Sequence, residues 1–330
     1  MLLEVGQEVV MYIYLDMVEG FTCEMCGKCC RNEWLVTVDK ESYQRNESFF
    51  AAKGKNDEFQ RAFVPLTDQR SFGEYAYIAK GAAGGCYFLT KDNYCILHRE
   101  AGHEHLDHVC QTFPRYPMNT TRGLELTLTL NCPAVFKRIE RNAPLEVIRS
   151  EQPPLEVQPD SVAVHVFPSQ RPENSALRYY FELEQHFIDI LQSRSLKMAE
   201  RLQFLTATIE KICKAEGKDS FGQSLNQIIY ENYDILDSKE KEEGGSAEIT
   251  AEILLEHFFV NIIFQKNFYV YGLRKGLVLL QSFWQRLEYL RQGLMTAKED
   301  RDITRVAIMQ IAFEHNHHRV REGGNDHEAD

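Results

Sequence analysis

Phe21-Thr22-Cys23-Glu24-Met25-Cys26-Gly27-Lys28-Cys29-Cys30-Arg31 is the stretch around which the chain is organised. Four thiols fall within eight residues, in the pattern C-x2-C-x2-C-C. Four more follow at Cys86, Cys95, Cys110 and Cys132, and of nine cysteines only Cys213 lies outside this N-terminal group. A C-x2-C turn lets two thiolates point at one metal, and soft thiolates select zinc or iron–sulfur clusters. Cysteines scattered through a core for packing do not arrive in such a pattern. Cys23, Cys26, Cys29, Cys30, Cys86, Cys95, Cys110 and Cys132 are therefore the candidate metal ligands. They could fill two four-thiolate sites, or one such site with further ligands or reactive thiols. Adjacent Cys29 and Cys30 point in different directions in most backbones, so binding of both to one metal is expected to be awkward. Zinc would give a closed structural clamp; iron and sulfide would give a redox or Lewis-acid centre. Spacing alone leaves both open.

Composition bounds the rest. At 330 residues with 44% apolar content, the chain can bury a sizeable core in one large or two ordinary domains. A net charge of −12 argues against a nucleic-acid-binding surface, which needs clustered Lys and Arg. The same charge suits a lysine-bearing partner and by itself also serves solubility. No apolar run is long enough to span a bilayer, so no membrane association is expected. Val9 to Leu15 is apolar but short, and Glu4 and Glu8 precede it where a signal peptide would be basic. The expected compartment is the cytoplasm, where thiols stay reduced and clustered cysteines serve as metal ligands.

The pattern along the chain predicts an α+β protein: a cysteine-rich metal-binding N-terminal region with short strands, then a mostly helical C-terminal region. The expected divisions are 1–145, a Pro-rich linker at 146–172, and a helical region at 173–330. Leu35–Val38 has strand character, and Asp39 is a candidate N-cap for a helix through Phe50. Residues 51–80 are expected to be loops and short pieces. Tyr87–Leu89 and Tyr94–Leu97, around a Lys91-Asp92-Asn93 turn, predict a hairpin that brings Cys86 and Cys95 together. Leu124 to Leu130 alternates strictly and is the cleanest strand. It runs into Asn131-Cys132-Pro133, where Pro133 suits the first turn of a helix. Cys132 is thus expected at a helix N-terminus, where the dipole favours a thiolate. Residues 141–172 carry six prolines, with Val162–Val166 as a strand among them. Apolar positions at helical spacing follow from Leu177 to Leu191, then from a Ser195 cap to Gly217. An acidic loop is expected at Asp237–Ser246, two helices over 248–292, a last one over 298–315, and a frayed tail from Asn316. Cys213 is expected to be a core residue.

Other catalytic signatures are weak. No G-x-G-x-x-G follows a strand, and there is no P-loop and no nucleophile elbow. The C-x3-C-x2-C spacing of radical enzymes is absent. His98, His103, His105 and His108 lie between Cys95 and Cys110, where one could add a ligand.

The segment F-x-C-x-x-C-G-K-C-C-R, followed by C-x-F-L and x-C-x-L-H, resembles the widespread cysteine-cluster family of zinc- or iron-chelating proteins. Cys86–Leu89, Tyr94–Leu97, Gly102–Leu106, Cys110–Arg115, Glu125–Leu128 and Asn131–Pro133 are similar to the core of the flagellin lysine N-methylase family. Ile190–Arg194 with Glu200–Leu202, Glu256–Asn261 and Glu314–Asn316 resemble that family's C-terminal pattern. The resemblance implies an iron–sulfur cluster of the four-iron type and methyl transfer from S-adenosylmethionine to lysines of flagellin or another lysine-bearing protein. The alternative is a non-enzymatic zinc- or iron-binding cysteine-cluster module. On the enzymatic reading, Arg115 is the candidate clamp for the donor's carboxylate, because its planar fork matches that group. Tyr116 or Glu125 is the candidate acceptor of the lysine proton.

Overall fold

The computed structural model describes residues 11–31, 35–66, 74–82, 84–154, 162, 164–239, 250–294 and 300–322. The fold is mixed α+β, built on two sheets and two apolar cores. The larger sheet takes strands from widely separated places: β1 (Tyr12–Leu15), β5 (Arg115–Thr120), β6 (Gly123–Leu128), β7 (Val147–Ser150) and β8 (Val164–Val166), in the order β7-β1-β6-β5-β8. The smaller is β2 (Thr37–Asp39), β4 (Glu74–Ile78) and β3 (Phe63–Pro65), in that spatial order.

The small sheet carries α1 (Lys40–Ala52) and α2 (Asn56–Ala62). Asp39 caps α1 as expected, accepting from the Ser42 amide at 2.8 Å. Phe50, Phe59, Phe63 and Phe88 fill the core beneath, with Phe59 and Phe63 stacked at 4.9 Å. The expected hairpin after Cys86 is not a regular one. Leu89 and Cys95 form an isolated bridge, and Ile96 turns at once into α3 (Ile96–Ala101), with Cys95 at its N-cap. The apolar run Tyr94–Leu97 is thus a helix start that sinks Leu97 into the small core. A further short helix, α4 (His108–Thr112), carries Cys110.

β5 and β6 form the centre of the large sheet. The turn between them needs glycine at 123: its φ is +131°, and a Cβ there would meet the Met11 carbonyl oxygen at 2.1 Å. That approach lets β1 run parallel to β6, with Tyr12 opposite Leu124. The Pro-rich segment expected as a linker supplies β7 and β8, the two edge strands of this sheet. Pro133 starts α5 (Pro133–Ile139).

The helical layer comprises α6 (Tyr180–Gln192), α7 (Met198–Ala215), α8 (Phe221–Lys239), α9 (Ala251–Phe264), α10 (Asn267–Val270), α11 (Gly272–Leu294) and α12 (Asp300–Glu322). The cap of α7 is Lys197 rather than Ser195; its amide donates to Glu200 at 2.9 Å. Helix α8 occupies a stretch without a sequence assignment and runs into the expected acidic loop as far as Lys239; the rest of that loop lies outside the described residues. Helix α12 continues through the expected frayed tail to Glu322. Cys213 packs against the large core. No described helix is long and apolar enough to cross a membrane.

The sheet and helices are joined by a buried set of four charges. Lys266, fully buried at a left-handed position (φ +65°) between α9 and α10, reaches Glu125 on β6 at 2.7 Å and Glu184 on α6 at 2.6 Å. Arg122, in the β5–β6 turn, reaches both carboxylates at 2.8 Å and lies over the Phe181 ring. Burial alone would raise the Glu125 carboxyl, but Lys266 and Arg122 outweigh it and hold the group below its ordinary value. Removing one member of such a set strands the others. Lys266→Met should lower the unfolding free energy by about 3–5 kcal/mol, seen as a lower urea midpoint at unchanged slope. A loss under about 1 kcal/mol would show that the four charges do not act together.

Candidate functional site

The cysteine-rich loop is held from two directions. Its first half lies against α5: Lys137 pairs with Glu24, and Arg138 donates to the carbonyls of Met17, at 3.3 Å, and Glu19. Its second half lies on the 86–95 segment: the Cys86 amide donates to the Cys30 carbonyl at 2.7 Å, and Arg31 donates to the Asn93 side-chain oxygen. Between the halves the chain reverses at Gly27, φ +68°, where a Cβ would meet Arg31 Nη1 at 2.8 Å. Arg31 also donates to the Cys26 carbonyl at 3.0 Å, closing the turn. The Met25 amide points at Cys23 Sγ, 3.4 Å away, in position to stabilise a thiolate.

The thiols divide accordingly. Cys132, buried at the start of α5, feels the charges of Cys26 and Cys23. Cys30 feels Cys29, Cys86 and Cys110, and Cys110 feels Cys86, Cys95 and Cys29. Cys29 and Cys30, expected to diverge, instead sit in one tight turn with their sulfurs 3.8 Å apart. Two thiolates on one tetrahedral ion with metal–sulfur bonds of about 2.3 Å stand about 3.8 Å from each other. The adjacent pair therefore fits one ion. Among the described residues, no group of three or more His, Cys, Asp or Glu side chains is placed to hold a metal ion.

Hydrogen bonding from Cys30 lowers the Cys29 thiol to about 7, and the second proton of the pair is correspondingly harder to remove. Burial raises Cys86 and Cys95 and raises Cys110 well above the ordinary thiol value. Cys110 is nonetheless solvent-exposed. At Cys132 burial wins over the amides of Ala134 and Val135, pushing the thiol up to about 11. The dipole argument therefore fails there on magnitude. Thiols raised in this way ionise together only beside a cation, which is what a thiolate-bound metal supplies.

Arg115 begins β5 and turns its guanidinium back to the Gln111 carbonyl at 2.9 Å, beside the helix that carries Cys110. Tyr116 is half-buried, opposite Thr127 on β6 and packed on the large core. Glu125 is ruled out as a proton acceptor by its burial among Lys266 and Arg122. Of the four histidines, His105 meets Asn46 at 3.2 Å and His108 meets Asp39 at 3.6 Å. A crevice lined in part by Thr129, Leu130, Asn261 and Gln265 opens where β6 ends, with room for about one water molecule, far short of the roughly 300–1,000 Å³ of sites that enclose ligands of nucleoside size.

The sequence reading missed Arg31, Asn93 and Asp107. Arg31 directly follows Cys30, and Asn93 holds a left-handed turn position, φ +67°, typical of asparagine. Asp107 caps α4 through the Val109 amide and neighbours Cys110. Burial raises its carboxyl to about 6, with the Asp39 charge adding to the shift.

No family model matches the chain, and no solved structure matches it. Among curated proteins, it is similar to the flagellar biosynthetic protein FliU of Salmonella muenchen, 26% identical over 124 residues, covering 37% of this chain and 72% of that protein. It is also similar to the lysine-N-methylases of Salmonella typhimurium and Salmonella choleraesuis, each 29% identical over 129 residues. Those matches cover 37% of this chain and 30% of each methylase, so the matched segment spans under a third of their length.

The native state binds the Asp107 proton more tightly than the unfolded chain does. The residue thus costs stability in full above about pH 6, and the cost fades as pH falls from there to the ordinary carboxylate value near 4. Asp107→Asn keeps a capping side chain. In metal-free protein it should raise unfolding free energy by on the order of 2 kcal/mol near pH 8 and by almost nothing near pH 4. An equal gain at both pH values, measured by urea titration, would contradict this assignment.

Proposed function

We propose that this chain is a protein lysine N-methyltransferase, dependent on an iron–sulfur cluster, that takes its methyl group from S-adenosylmethionine and acts on flagellin-type lysines. The similarity to proteins named lysine-N-methylase carries the reading. The flagellar name of a third relative and this chain's acidic balance support a lysine-bearing flagellar substrate.

In the transfer, the lysine nitrogen attacks the sulfonium-bound methyl carbon. The carbon–sulfur bond breaks, its electron pair leaves with the neutral thioether, and the nitrogen's proton passes to a base. A lysine with a pKa of about 10.4 must first be deprotonated, and nitrogen, carbon and sulfur must be held in line. Arg115, beside the helix that carries Cys110, would hold the donor's carboxylate with its guanidinium fork. Tyr116 follows it on β5 and would take the lysine proton. Ligands for the cluster would come from Cys23, Cys26, Cys29, Cys30, Cys86, Cys95, Cys110 and Cys132. When bound, a cluster with an open iron supplies a Lewis-acid position for the donor's amino and carboxylate groups.

Protein reconstituted with iron and sulfide without oxygen, then given the methyl-labelled donor and flagellin, should label flagellin lysines; Cys110→Ala should abolish the labelling. Protein that takes up zinc alone and transfers no methyl group overturns this reading in favour of a non-enzymatic metal-binding module.

A further inference from the structure

Cys29 and Cys30 are neighbours in the chain and in contact in space. In an extended chain successive side chains point to opposite faces. Here the turn Cys29–Arg31, just after the reversal at Gly27, brings both sulfurs to one side, 3.8 Å apart. The Arg31 amide holds that turn, donating to the Gly27 and Lys28 carbonyls at 3.1 and 3.2 Å, and the Cys86 amide holds the Cys30 carbonyl at 2.7 Å. Both thiols are partly exposed, between the exposed and positively charged Lys28 and Arg31. Reactive cysteines sit in such electropositive, part-exposed places, and those that sense oxidation lie next to a second thiol.

We propose that Cys29 and Cys30 form a site of reversible oxidation, in which peroxide converts the adjacent thiols into a disulfide between them. One thiolate attacks a peroxide oxygen. The oxygen–oxygen bond breaks, the sulfur becomes a sulfenic acid, and the departing hydroxide takes up a proton as water. The second sulfur then attacks the first, the sulfur–oxygen bond breaks, and a second water leaves. Two electrons pass from the sulfurs to the peroxide, and both thiol protons end in water. The sulfurs need only close from contact to a bond length of about 2.05 Å. The product is strained, because neighbouring Cα atoms are about 3.8 Å apart, below the usual ~4.4–6.8 Å of disulfide partners. Strained disulfides are the readily reduced ones. The bond thus forms under peroxide and returns to thiols under glutathione. Closing it resets the backbone on both sides of the Cys29–Cys30 peptide, and with it the turn that carries Arg31 and the Cys30 carbonyl. Oxidation thereby withdraws two candidate ligands together and loosens the loop's hold on the 86–95 segment.

Mass spectrometry of the reduced, metal-free full-length chain tests this. Trypsin cuts after Lys28 and Arg31 and releases Cys29-Cys30-Arg31 as a peptide of its own. After hydrogen peroxide and then iodoacetamide, most of that peptide should carry no alkyl group and weigh less than the dithiol by the two lost hydrogens. Glutathione added before iodoacetamide should restore the doubly alkylated form. Cys30→Ser protein, which lacks the second thiol, should instead hold a sulfenic acid on Cys29 that dimedone traps, where wild-type protein shows little. A pair that stays fully alkylated overturns the proposal. So does a bridge from either residue to Cys86 or any other cysteine, oxidation that runs on to sulfinic acid, or a disulfide that glutathione leaves intact. A chain that oxidises in this way and transfers no methyl group would remove the proposed activity and leave the site standing.

Discussion

The structure depends on a lysine that has no access to water. Lys266 carries its charge into the interface between the sheet and the helical layer, where the carboxylates of Glu125 and Glu184 compensate it and Arg122 shares both of them. Taking four ions out of water is costly, and partial sets are worse than none. The four therefore specify one arrangement, in which α6, the α9–α10 corner and the β5–β6 turn meet at a fixed point. Two residues further along the same face of β6, Thr127 donates to Asn261 on α9 at 2.5 Å, and Asn261 donates to the Leu128 carbonyl at 2.9 Å. These bonds set where β6 ends, and Cys132 follows four residues later.

A second ionic set supports the far end of α9. Glu256 accepts from Arg194 at 2.7 Å and from Arg201 at 2.9 Å, while Arg201 also donates to the Leu191 and Leu196 carbonyls. His257 bonds the Ile139 carbonyl at 2.7 Å, so α9 also holds the C-terminal end of α5. The helix whose first residue follows Cys132 is thus fixed at one end by the sheet and at the other by the helical layer. The helical half of the chain, which holds none of the candidate metal ligands, sets the position of one of them.

Much of this was legible in the sequence where a single local signal decided the structure. Asp39 capped its helix, Pro133 opened one, and the alternation of Leu124–Leu130 marked the central strand. Alternation ordinarily means one wet face, yet Glu125 and Thr127 are as buried as Leu126 and Leu128. Lys266 and Asn261, which hold them from the helical side, lie well over a hundred residues away in sequence, beyond the reach of periodicity. Helix α9 is apolar nearly all round because it is buried nearly all round, and only its few polar side chains reveal its role. The cysteines stood out as a group, but their division did not. It depends on a backbone reversal at Gly27 and on contacts from α5 and Asn93 that no spacing rule encodes.

The small core has a temporal consequence. Its buried residues run from Val38 to Leu106, a contiguous stretch, while the large core draws on β1 and on residues as distant as Ala312. Segments with local contacts close sooner than those awaiting distant ones, and a chain emerging from the ribosome presents its N-terminal part first. The Phe-rich unit is thus placed to condense around Cys86 and Cys95 while β1 still lacks its neighbour β6. Cys132 comes into position only with that strand. On this order the two halves of the C-x2-C-x2-C-C loop mature at different moments of synthesis, the later half first, an order that pulsed thiol labelling of nascent chains would read directly.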